Sequence, residues 1–234
     1  MDATQALLVL VVVPIGAWAA SLVTLRGAYQ DVQRDWLSRG QTPPFARIIV
    51  ASVYGVVPVL LGLALWFLSL SFSDTLNPAT NLAALDSQRL FLWASVSSAV
   101  AGSCTIAGQT IVLRRRLSGY LGSDFGRVLP ISVIPFTDAV FAVVLGFLAF
   151  SYVDGIAHGG VPAASAAVDA AVTAMQAYAV ASLAIPVAAT ASNRVQDLSS
   201  RGFSRALMIA ELGELPILLG LVMGFLAIGG LSPA

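Results

Sequence analysis

The chain has no lysine, one cysteine and one histidine among its 234 residues. A single thiol, Cys104, excludes an internal disulfide, and in a stretch of Ala, Ser and Gly it reads as packing. With one histidine, His158, and no cysteine cluster, no metal site is expected. No glycine-rich nucleotide loop and no nucleophile elbow occurs either. Hydrolytic, metal and nucleotide chemistry therefore have no footing, no cofactor is called for, and the chain is expected not to be catalytic. Charge is scarce: 10% of residues are charged against 58% hydrophobic, and mean hydropathy is +0.87. Such a composition belongs to a polytopic membrane protein with no separate soluble domain. MDATQ offers no basic region before the first apolar run, so no cleavable leader is expected.

What charge there is has been sorted. All twelve basic residues are Arg, and eleven fall in three segments, 26–47, 114–127 and 194–205; Arg89 lies elsewhere. Asp2, Asp74, Asp86, Asp154, Asp169 and His158 mark the alternate segments and the N-terminus. The positive-inside rule then sets the Arg-rich loops in the cytoplasm and both termini outside a cell membrane. Because topology accounts for the basic residues, nucleic-acid binding has no support.

Six spans fit, at roughly 5–25, 46–71, 90–113, 128–152, 168–193 and 205–230. The expected fold is all-α and integral to the membrane: six transmembrane helices as three tandem hairpins, at 1–73, 74–153 and 154–234. The hairpins repeat. Every even span opens on Phe-x-Arg, at Phe45-Ala-Arg47, Phe125-Gly-Arg127 and Phe203-Ser-Arg205, 80 and 78 residues apart. Aligned on Phe, Gly62 coincides with Gly220 and Pro58 with Pro216, while Gly55, Pro135 and Gly213 share one position.

Odd and even spans differ in bulk. ASVSSAVAGSCTIAG and AAVTAMQAYAVASLA are slim, and small residues let helices approach closely. The even spans carry LLGLALWFLSLSF and DAVFAVVLGFLAF, suited to lipid. A slim helix paired with a bulky one makes a wedge, and wedges close into a ring of copies with the slim helices inside.

Glu214 stands out chemically. Counting from Arg205 at about 1.5 Å per residue sets it roughly 13 Å deep, near the midplane. A carboxylate at that depth costs several kcal/mol unless it is protonated, paired or beside a polar cavity. Pro216 withholds the amide hydrogen that would bond the Leu212 carbonyl, leaving a kink and a free acceptor nearby. Asp138 lies at similar depth beside the Thr137 hydroxyl. It reads equally as a partner facing Glu214 or as a protonated acid holding two helices together, and two carboxyls in low dielectric cannot both ionise cheaply. Glu211, one turn toward the Arg-rich side on the same face, lines an entry or meets headgroups. Gln109 and Gln176 read as interhelical glue. Arg114-Arg115-Arg116 is a topology signal that could also dock a partner.

These residues resemble a known family, the proteolipid ring subunit (c or K subunit) of A/V-type rotary ATPases, in its triple-hairpin form. The resemblance rests on Phe203-Ser-Arg-Ala-Leu…Glu214-Leu-Pro-Ile-Leu-Leu-Gly220-Leu, which follows that family's outer helix without a gap. It rests also on Ile134-Pro135-Phe136-Thr137-Asp138-Ala-Val-Phe, similar to the family's Leu-Pro-x-Thr-Gln-Ala-Ile-Tyr. It spans all three repeats and is strong in the second and third. The resemblance implies that Glu214 carries the ion, with Thr137 and Asp138 on the preceding hairpin as helpers. It implies a homo-oligomeric ring as the first partner, a stator membrane subunit supplying an arginine, and central-stalk subunits at the cytoplasmic loops. The sequence departs from the family at the carrier position of the other hairpins, which hold Val56 and Phe136, and Asp138 stands where Gln is usual. With few oxygen ligands to name around Glu214, H⁺ is expected as the ion in preference to Na⁺. The alternatives are a self-contained six-helix proton or cation carrier, with Glu214, Asp138 and Glu211 along one path, and a non-transporting membrane scaffold.

Overall fold

A computed structural model describes residues 3–70, 82–157 and 163–231. All secondary structure among them is helical, in six segments long and apolar enough to span a membrane: α1 (Gln5–Ser38), α2 (Phe45–Ser69), α3 (Leu85–Leu121), α4 (Phe125–Ile156), α5 (Ser165–Ser192) and α6 (Ser200–Gly229). The protein is an integral membrane protein by this measure. The expected external positions Asp2, Asp74 and His158 lie outside the described residues.

α3 is the hub. It packs against α1, α2, α4 and α5, and two-thirds of its apolar window is buried (67%), against 28% for α1 and 44% for α5. α4 in turn touches α2 and α6. The slim helices thus form a row α1–α3–α5 and the bulky ones a second row α2–α4–α6, each hairpin laid beside the next. Ala94, Ala101 and Ser95 on α3 are fully buried. That is what small side chains permit in a bilayer, where helices gain by close packing and not by leaving water.

The repeat positions recur as contacts. At the shared Gly55/Pro135/Gly213 position, each outer helix meets the slim helix of its own hairpin. A side chain on Gly55 would run into Trp18, Pro135 packs on Gly108, and one on Gly213 would run into Ala188. Seven residues on, Gly62 lies against the Leu10 carbonyl, the Ala142 carbonyl accepts from Ser98 Oγ (3.3 Å), and Gly220 lies on Tyr178. The first of these has a local cause. Pro14 has no amide hydrogen for the Leu10 carbonyl, and α1 widens to a π turn over Leu8–Val12. Gly62 fits there because a Cβ would collide with that carbonyl.

Two of the slim helices outlast the expected spans. α1 continues past residue 25 to Ser38, and α3 past residue 113 to Leu121. AYQDVQRDWLS holds no Gly or Pro to stop the first. Asp35 receives Arg39 at 2.7 Å, and Val32 and Trp36 join a second apolar cluster around Tyr120, Leu121 and Val128. Gly40, at φ +70°, ends the turn in a conformation that suits glycine, ahead of Pro43 and Pro44.

At the Arg-rich end, arginines fasten one hairpin to the next. Arg47 donates through Nη1 to the carbonyls of Leu121 (2.9 Å) and Gly122 (2.6 Å), and its guanidinium lies 4.5 Å from the Phe125 ring centroid. Arg116 is buried, in a non-helical kink of α3, and donates to the carbonyls of Ser192 (2.6 Å) and Val195 (3.0 Å) and to Asn193 Oδ1 (3.1 Å). Asn193 answers by donating to the Ile111 carbonyl at 2.7 Å. Arg116 is therefore structural, while Arg114 and Arg115 stay exposed. At the other end Arg89 bridges Asp169 on α5 at 2.8 Å and Asp86 at 3.5 Å.

Candidate ion site

Two outer helices open at mid-length, and the site lies between the openings. α4 breaks at Ile134–Pro135 and restarts at Phe136; α6 breaks at Gly213–Glu214 and restarts at Leu215. Around each break the backbone tightens to bonds three residues apart, Thr137 N–H to the Ile134 carbonyl (3.2 Å) and Glu214 N–H to the Glu211 carbonyl (2.9 Å). Pro216 at the start of the second half of α6 cannot donate to Leu212. Glu214 occupies the N-cap position of that half-helix, where unpaired amide groups favour negative charge. It is half-buried, and Glu211 one turn away is exposed.

The Thr137 hydroxyl bridges α4 and α6. It hydrogen-bonds with Oε1 of Glu214 and also lies 2.8 Å from the Ile134 carbonyl. A hydroxyl has one hydrogen to give. Both contacts are satisfied together when Glu214 carries a proton and donates to Thr137, whose own hydrogen then goes to Ile134. When the carboxyl is ionised, Thr137 must choose between them. The α4 opening is held from the other side by Thr105, which donates to the Pro135 carbonyl at 2.8 Å.

Asp138, one residue on, points elsewhere. Its side chain is fully buried against α5, where Tyr178 Oη donates to Oδ1 (2.9 Å) and lies equally close to the Asp138 backbone carbonyl (2.8 Å). Ser182 Oγ is the second donor to Oδ1, at 3.0 Å. Oδ2 is buried with no hydrogen-bond partner among the described residues. Thr137 and Asp138 thus divide the work. The threonine reaches Glu214, while the aspartate is tied to α5, within electrostatic range of Glu214 and without a hydrogen bond to it.

Of the other candidate residues, Gln109 is buried beside Trp18 and Ser21 of α1, and Gln176 is half-buried on α5; neither hydrogen-bonds to Glu214 or Asp138. Val56 and Phe136, which match Glu214 in the other two hairpins, are half-buried and apolar. Tyr178 was the residue sequence reasoning passed over. Its signal was available: Tyr178 and Ser182 are four apart and so share a helix face, in an otherwise Ala-rich span.

Neither a family model nor a curated protein nor a solved structure matches this chain.

Proposed function

We propose that the chain is an ion-translocating rotor-ring subunit of an A/V-type rotary ATPase, with Glu214 as the carrier and H⁺ as the ion. The observation that carries this reading is the bond between Glu214 and Thr137, made across two hairpins where both outer helices open. A carrier must be neutral where it faces lipid and must release its charge where water and a counter-charge are available. Glu214 meets the first demand when it is protonated, since it then donates to Thr137 and leaves the pair no unsatisfied group. It meets the second by lying half-exposed at the outer row. Dehydrated sodium would need several oxygen ligands, and the carboxyl of Asp138 is already engaged by Tyr178 and Ser182. A proton needs one basic oxygen and one acceptor, which are present.

In this reading the stator supplies an arginine opposite Glu214, the soluble ATPase does the chemistry, and the subunit itself is not catalytic. The Arg-rich ends face the cytoplasm and meet the central stalk, and both termini lie outside. Asp138 is a helper that fixes α4 against α5.

The test is labelling of the purified particle with a carboxyl-directed carbodiimide, with and without sodium, read by peptide mass. Modification is expected at Glu214 and at no other carboxyl in the spans, at a rate that sodium leaves unchanged. Strong protection by sodium overturns the proton assignment, and no label at Glu214 removes the carrier role. A detergent particle with the mass of one chain would favour the self-contained carrier.

A further inference from the structure

We infer that Arg205 docks onto Phe45 and the 40–42 turn of a second copy of this chain, head to tail. The inference deepens the ring reading above and rests on its claim that copies adjoin. It comes from a contact the chain already makes once with itself. Arg47, third residue of the first Phe-x-Arg, lies over Phe125, the first residue of the second. The same guanidinium donates to the carbonyls of Leu121 and Gly122 in the turn just before that Phe. One hairpin's arginine thus clasps the next hairpin's turn and ring. At the next step Arg127 holds Asp124 at 3.6 Å and its charge reaches Asp197 in the third hairpin's turn. The third arginine, Arg205, meets no turn or Phe ring of another hairpin among the described residues. It is exposed and makes no hydrogen bond or ion pair among the described residues.

The first hairpin holds the complementary half. Phe45 is 72% exposed, whereas Phe125 is partly covered by Arg47 and Tyr120. The turn that precedes Phe45 corresponds, 80 residues earlier, to the one that accepts from Arg47. The helix rows agree. α3 is covered from both sides by α1 and α5, while α1 and α5 each lack a neighbour on their outer side. On α1 a side chain at Gly16 or Gly27 would meet nothing within 4 Å. A second copy set down by the step that relates hairpin two to hairpin one would cover α5 with its α1 and bring its Phe45 under Arg205.

The test uses the full-length chain in membranes, with Cys104→Ala as background. Phe45→Cys together with Arg205→Cys is cross-linked with a short bismaleimide, and so is the pair Gln41→Cys with Arg205→Cys, whose turn position is exposed. Both pairs are expected to give a ladder of dimers, trimers and higher species, and each single variant none. Without cross-linking, Arg205→Ala should raise the monomer fraction of the detergent particle about tenfold, through loss of one cation–π contact and its hydrogen bonds, while Arg205→Lys raises it less. No ladder from either pair, or dimers from a single variant, overturns the docking. A ladder without carbodiimide label at Glu214 leaves the docking standing and removes the carrier; label without a ladder does the reverse.

Discussion

Hairpin one and hairpin three carry the same glycines and prolines at the same repeat positions, yet only hairpin three opens. α2 runs unbroken from Phe45 to Ser69 with Pro58 inside it, while α6, with Pro216 at the matching place, breaks at Gly213–Glu214. Proline removes one donor in either case. In α2 Val56 and Val57 precede Pro58, and among the described residues no side chain hydrogen-bonds to the Tyr54 carbonyl that Pro58 leaves free. In α4 the opening coincides with side chains that take up backbone carbonyls, Thr137 on that of Ile134 and Thr105 on that of Pro135, and in α6 Glu214 stands at the new N-terminus with its carboxyl on Thr137. A membrane helix opens where side chains repay the lost backbone bonds, since no water is there to do it. The proline only permits the break.

Removing the acid is the strongest way to test that contrast. Glu214→Gln is nearly isosteric and keeps an acceptor and a donor at Thr137, so the particle should assemble as before. Carbodiimide labelling of the span and ion-coupled ATP turnover should both be abolished. The mirror change, Val56→Gln in hairpin one, should leave turnover unchanged; loss of coupling there would mean that the two hairpins are not functionally distinct.

The next effect is on stability. Gly62→Ala forces a methyl onto the Leu10 backbone carbonyl, which cannot swing away, whereas Gly220→Ala meets Tyr178 at 3.2 Å from the ring and 3.3 Å from its Cα. The first should cost about 2–3 kcal/mol and the second about 1 kcal/mol, measured as thermal midpoints of the purified particle. Equal costs would remove the argument that the π turn of α1 and Gly62 belong together.

Much of this was legible beforehand, and the reasons for the remainder are physical. The spans and their number follow from bilayer thickness and from how few charges the chain holds. The Phe-x-Arg repeat sets the register, while the pairing of Thr137 with Glu214 is what the family resemblance implies. Asp138 was ambiguous because adjacent residues on a helix differ by about 100° in direction, so Thr137 and Asp138 could not both face Glu214. Only the packing of α5 settles which one does. Arg116 was hidden inside a run that topology explains equally well. The long ends of α1 and α3 were missed because polar residues there mark the end of the apolar span and say nothing about the end of the helix.

Tyr178→Phe tests the claim that Asp138 belongs to α5. The change deletes the hydroxyl hydrogen shared by Oδ1 and the Asp138 carbonyl and leaves Ser182 as the only donor to that carboxyl among the described residues. A buried acceptor left short costs about 1–2 kcal/mol, so the thermal midpoint should fall. Glu214 labelling should stay, because Thr137 is untouched. If Tyr178→Phe instead abolishes labelling, Asp138 and Glu214 act as one site and the division between them fails.

The smallest effect concerns the turns that close the two hairpins, each of which has a different lock. Hairpin one closes on Gly40 in a left-handed conformation. Hairpin three closes on Asp197, whose carboxylate accepts from the Ser199 hydroxyl at 2.6 Å and from its amide at 2.7 Å, with its carbonyl tight against Gly202. The hydroxyl first and then the amide, helped by Arg127, hold the Asp197 carboxyl below the usual carboxylate range. A carboxyl lowered on folding stabilises the folded chain above its unfolded pKa, and that contribution is lost as pH falls toward the folded value. The α5–α6 turn should therefore exchange its amides faster in acid while the α1–α2 turn, which holds no such group at Gly40, does not. The site is solvent-exposed, so the difference should be slight and local. Hydrogen exchange on peptides covering 36–44 and 195–202, from neutral to acidic pH and with Asp197→Asn as control, measures it. After correction for intrinsic exchange, the acid response of the second peptide should disappear in the variant. A response that survives Asp197→Asn would assign the lock to another group in that turn.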